Sequence, residues 1–130
     1  MRDPKLSVMQ MAEIAGLQEP LLDKSCVALG MSRQAKFSYS TMIVLAVAYK
    51  ILEFSGERVV EGLVSAARNS SASGSPKEVL LVPSADGSLV ARCVTCGNSR
   101  KGITGEEVHR VQSYAIRRQL NLSYDRWIRS

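Results

Sequence analysis

The chain is poor in histidine and aromatics: one His, one Trp and two Phe stand among 130 residues. A single imidazole leaves little for nucleophilic catalysis, because no Ser or Cys stands beside a plausible base. The stretch "GNSRKGIT" (Gly97 to Thr104) has Lys-Gly where a phosphate-cradling loop needs Gly-Lys. The chain is therefore expected not to be an enzyme. Three cysteines, an odd number, argue against a closed disulfide framework and for a reducing compartment. Long apolar runs are also missing. The greasiest segment, "MIVLAVAY" (Met42 to Tyr49), falls far short of the ~20 residues of a membrane span. "MRDPKLSVMQ" lacks the apolar core of a secretory leader. A cytoplasmic protein without a membrane partner is the expectation.

What is present is an aliphatic core and an uneven charge. Hydrophobic residues make up 45% of the chain, enough for a folded domain and too many for disorder. The net charge is +5, which favours anionic partners. Residues 1–99 hold ten Lys/Arg against nine Asp/Glu, whereas residues 100–130 hold seven against three. Apolar spacing predicts helices over residues 5–15 and from Pro20 to Gly30, and a helix apolar on nearly every face from Thr41 to Phe54. Ser55 is the expected N-cap of a further helix bearing Val59, Val60, Leu63, Val64 and Ala67. "NSSASGSP" (Asn69 to Pro76) reads as a linker. "EVLLVPS" and "SLVARCVT" flank Ala85-Asp86-Gly87 as a hairpin, with Pro83 suggesting an edge strand. Thr104 and Glu107 form a capping-box signature for a last helix running to about Asn121.

The fold class expected is α+β, with an N-terminal unit (1–68), a linker (69–77) and a hairpin-plus-helix element (78–130). In "MAEIAGLQEPLLDKSCVALG" (Met11 to Gly30), Ala12 supplies a small residue and Gly16 a turn residue free to take positive φ. Met11, Ala15, Leu17 and Leu22 fall where a helix-turn-helix buries apolar side chains. "AKFSYSTMIVLAVAYKILEF" continues the pattern, with an aromatic-Ser-Tyr step leaving a basic connection and entering an apolar helix. Over residues 5–68 this order resembles the MerR-type winged helix-turn-helix regulators. The resemblance implies that the second helix enters the major groove, with Gln18, Lys24 and Gln34 among the DNA-facing residues. Arg33, Lys36 and Tyr39 would approach phosphates from the wing. It further implies double-stranded DNA as partner, a transcriptional role and a homodimer. The rival reading is a protein-interaction module, antitoxin-like or adaptor, favoured by Glu19 and Asp23 on the same helix; residues 78–130 offer a further protein contact.

Two other patterns stand outside that unit. Arg110, Tyr114, Arg117 and Arg118 fall on one face if their segment is helical, either a secondary phosphate-lining surface or a solvated one. Cys93 and Cys96 have the spacing of half a zinc site. His109 follows Cys96 at finger spacing, but Ser113, Tyr114 and Ala115 fill the window of a second His. Cys26 could join only if the hairpin packs on the second helix, and a dimer sharing cysteine pairs is the other route. Reduced thiols without metal are the expectation, and no cofactor is foreseen.

Overall fold

The computed structural model describes residues 4–72, 74, 76–95 and 109–130. They form a mixed α+β fold of five helices and two small sheets. The first sheet pairs β1 (Lys5–Ser7) with β2 (Lys36–Ser38), antiparallel, with Leu6 opposite Phe37. Between them lie α1 (Val8–Ala15) and α2 (Leu21–Leu29), and after β2 comes the long α3 (Tyr39–Ser55). The second sheet has the order β3-β5-β4-β6, built from β3 (Val60–Glu61), β4 (Lys77–Pro83), β5 (Leu89–Thr95) and β6 (His109–Val111). Helix α4 (Leu63–Ser71) follows β3, and α5 (Ser113–Arg129) follows β6.

Local chemistry sets several of these boundaries. Ser7 ends β1 and caps α1: its hydroxyl accepts from Gln10 N–H at 3.2 Å, and the Gln10 side chain accepts from Ser7 N–H at 3.0 Å. This capping box stops the helix short of residue 5, where apolar spacing alone would have begun it. Lys5–Ser7 is a strand because Leu6 has a partner in Phe37, a pairing 31 residues distant that no local pattern reveals. Helix α3 lies at the centre: Met42, Leu45, Val47, Ala48 and Ile51 have no exposed surface. It begins at Tyr39, two residues earlier than expected, and runs through Ser55.

Ser55 is not the N-cap of the next helix. It is buried, and its hydroxyl donates back to Leu52 O at 3.2 Å. Val60–Glu61 instead extends parallel to Leu89–Val90, and α4 begins after Gly62. Gly62 has φ 79°, and a Cβ there would sit 3.2 Å from Ala91 O. The close helix-to-strand approach therefore needs glycine as well as the left-handed backbone.

Asn69–Ser71, read from composition as the start of a linker, complete α4. Ser70 and Ser71 are buried, and Ser113 Oγ donates to Ser70 Oγ at 2.8 Å, joining the start of α5 to α4. One hydrophobic core runs from Leu6 and Met11 through α3 to Val79, Leu81, Val111 and Leu120.

The hairpin forms with Pro83 opposite Leu89. Its strand β4 is interior, between β5 and β6, so Pro83 does not mark an edge strand; among the described residues β6 pairs with Val79–Leu81. The Thr104–Glu107 capping box lies outside the described residues. His109 and Arg110 belong to β6, not to a helix, because Val111 pairs with Val79 and buries in strand register. Helix α5 continues eight residues past Asn121 to Arg129. Among the described residues no helix is long and apolar enough to cross a membrane.

Candidate nucleic-acid interface

The segment β1–α1–turn–α2–β2–α3 brings the first candidate residues together. The turn rests on Gly16, at φ 71°, whose N–H and that of Leu17 both reach Ala12 O. Nothing lies within 4 Å of a Cβ built at Gly16, so the constraint there is the backbone and not space. Ala12 and Leu17 are buried on either side of it. Gln18 contributes its backbone: its N–H donates to Tyr49 Oη at 3.2 Å, fastening the turn to α3. Pro20 occupies the N-cap position of α2 and offers no side-chain cap. Glu19 serves instead, its carboxylate accepting Asp23 N–H at 3.1 Å, as an anion suits a helix N-terminus.

Two of the expected DNA-facing cations are engaged within the fold. Lys24 Nζ donates to Gly56 O at 2.8 Å, capping the C-terminal end of α3 where carbonyls lack partners. Arg33 Nη1 lies 2.5 Å from Glu19 and 3.8 Å from Asp23, and its other terminal nitrogen reaches Met9 Sδ at 3.5 Å. Glu19 and Asp23 thus neutralise the loop arginine. The pair is solvent-facing, with Arg33 34% and Glu19 51% exposed, so it can be exchanged for another anion.

The β1–β2 ribbon carries the open positive charge of this half. Lys5 stands opposite Ser38, and Ser7 opposite Lys36. Side chains alternate along a strand, so Lys5, Ser7, Lys36 and Ser38 share one face while Leu6 and Phe37 turn to the core. Both lysines are exposed, as is Gln34 in the turn before β2. Lys5 escapes a helical reading of residues 5–15; the Lys-Leu-Ser alternation is the signal that marks it.

Tyr39, expected to approach a phosphate, is engaged within the fold. Its hydroxyl donates to Asn121 Oδ1 of α5, and its ring meets that of Tyr124 edge-on at 5.1 Å. Tyr124 in turn lies 6.1 Å from Trp127, so the three aromatics fasten α5 beside the end of β2. Burial pushes the Tyr39 hydroxyl above its ordinary value, Asp125 and Tyr124 add to this, and Arg117 opposes it.

The secondary basic face divides. Arg110, on β6, donates to Glu78 at 2.9 Å, and Glu78 is only 6% exposed. That pair keeps a buried carboxylate satisfied. Arg117 and Arg118 lie on α5, with Arg126 and Arg129 further along the same helix.

Cys93 is half-buried on β5, and burial raises its thiol pKa although Lys77 works against this. Cys96 lies outside the described residues. Cys26 is buried in α2. Cys93 and His109 face the same side of the sheet, but on the two strands flanking β4, roughly 10 Å apart. The His109 ring stacks on Phe54 at 3.8 Å with planes 2° apart, and Arg58 lies 5.1 Å from the Phe54 ring centre. Among the described residues no three His, Cys, Asp or Glu side chains gather as a metal would need.

Compared with known proteins, the chain matches no family model, no curated sequence and no solved structure.

Proposed function

We propose that this protein binds double-stranded DNA as a winged helix-turn-helix regulator of the MerR type, acting as a homodimer in the cytoplasm. The observation that carries the reading is the β1–α1–turn–α2–β2–α3 order. A left-handed glycine turn joins two short helices, and a two-stranded ribbon with Lys5 and Lys36 on its outer face flanks them. In this reading α2 lies in the major groove, while the ribbon lysines and Gln34 lie along the backbone. Arg33 exchanges Glu19 for a phosphate on binding. Affinity then comes chiefly from phosphate contacts and falls steeply with salt.

A second reading is favoured by a specific observation. The outward side of α2 presents Asp23, Lys24 and Val27, the last 72% exposed. Lys24 and Arg33 are both held by the fold, which leaves a charge-balanced face around exposed Val27, suited to a protein partner. Titration of labelled duplex with the wild type and Lys5→Gln/Lys36→Gln separates the two. The DNA reading expects the salt slope to flatten by up to about 1.8, two phosphates' worth. Absence of salt-dependent duplex binding by the wild type would leave the protein-partner reading.

A further inference from the structure

Among the described residues the largest uncommitted positive charge lies on α5. Successive helical residues turn by about 100°, so Arg118, Arg126 and Arg129 fall on one side of the helix, opposite buried Leu120. All three are exposed, and among the described residues none makes an ion pair. Asp125, the one acid of the helix, stands beside them, so three arginines face one carboxylate and the surface stays positive. The winged half differs, since Lys24 and Arg33 are both engaged there.

The placement of α5 adds to this. Tyr39 immediately follows β2, and its hydrogen bond to Asn121 and ring contact with Tyr124 fix the middle of α5 there. Lys36 is three residues before Tyr39, roughly 10 Å away in extended chain. Along α5, Arg118 and Arg126 are about 12 Å apart and Arg118 and Arg129 about 16 Å. The first of these spans is close to the ~12 Å width of the major groove, so the arginines can reach phosphates on both of its edges. Of the exposed aliphatics, Leu122 stands singly among the arginines and Ile128 lies on a flank, so they form no continuous apolar patch.

We propose that the outward face of α5, through Arg118, Arg126 and Arg129, is a second phosphate-contacting surface that continues the ribbon's grip along the same duplex. This rests on the DNA-binding reading above and makes the C-terminal helix part of the interface. The full chain and its Arg118→Gln/Arg126→Gln/Arg129→Gln variant are titrated onto a labelled random-sequence duplex between about 50 and about 200 mM salt. The variant's slope is expected to be flatter by up to about 2.7, so that over this range it loses up to about 40-fold less affinity than the wild type. Matching thermal melts show that the exposed substitutions leave the fold intact. A wild type that binds duplex, with a variant of unchanged slope, overturns the inference and leaves the DNA reading standing. An unchanged slope together with lost binding to polyaspartate assigns the face to an acidic protein and also overturns it. A wild type with no duplex binding overturns the DNA reading, and the inference with it.

Discussion

Replacing Glu19 by Gln and Asp23 by Asn together should strengthen duplex binding. The two carboxylates hold Arg33 at 2.5 and 3.8 Å and stand at the entry to α2. If α2 faces DNA, each lies roughly 8 Å from a phosphate, where two unit charges in water repel by about 0.5 kcal/mol. Physiological salt screens this to about 0.2 kcal/mol each. Release of Arg33 from an exposed ion pair adds about 0.2–1 kcal/mol. The sum, about 0.6–1.4 kcal/mol, corresponds to roughly 3- to 10-fold tighter binding, while the salt slope stays the same because Arg33 reaches the phosphate in the wild type as well. The glutamine keeps a side-chain oxygen for the backbone N–H that Glu19 now accepts, so the start of α2 is retained. Anisotropy titration at several salt concentrations reads both quantities, and a thermal melt checks the fold. Unchanged affinity in a variant of normal stability would refute the placement of Arg33 beside DNA.

Gly16→Val places a branched side chain at φ 71° and should cost about 1 kcal/mol or more, seen as a melting temperature lower by about 3–5 °C. Arg110→Leu strands the buried Glu78 carboxylate and should destabilise by about 2–3 kcal/mol in urea, whereas an unchanged midpoint would show that the pair is dispensable. Burial raises the Cys26 thiol pKa, with Asp23 and Glu19 adding and Arg33 opposing. The unfolded chain therefore loses that proton first: stability is fully present below the unfolded thiol pKa of about 8.5 and declines as pH rises toward the folded value. Tyr39 shifts in the same direction, so Cys26→Ala should remove only part of the alkaline loss, as urea melts across this range will show. The purified protein should keep its helical circular dichroism in excess chelator; zinc near one per chain with unfolding on chelation would establish a metal-dependent fold.

The elements legible in the sequence are those whose causes are local. Gly16 and Gly30 end α1 and α2 in the left-handed conformation, and the Ala85-Asp86-Gly87 turn closes the hairpin, as their composition indicates. Elements held by distant partners stay hidden. Lys5–Ser7 is extended because of Phe37, Val60–Glu61 because of Leu89, and His109–Val111 because β4 offers Val79 as partner. Segments of two or three residues with a single apolar side chain, such as these, are too short to show a helix or strand period until the partner is known. The candidate site is legible in residue type but not in engagement. Lys24 and Arg33 read as free cations, yet a carbonyl 32 residues away holds the first and carboxylates from α2 and the preceding turn hold the second. Tyr39 reads as a wing residue, whereas its hydroxyl reaches Asn121 across 82 residues of chain.

Whether this chain reads DNA is decided most sharply by selecting bound fragments from random duplex with the full chain at about 150 mM salt. If it is a DNA-binding regulator, successive rounds enrich a common sequence, and Lys5→Gln/Lys36→Gln weakens retention without changing that sequence. Recovery of no DNA above background would contradict DNA binding and point to the outward face of α2, with its exposed Val27, as a protein-docking surface.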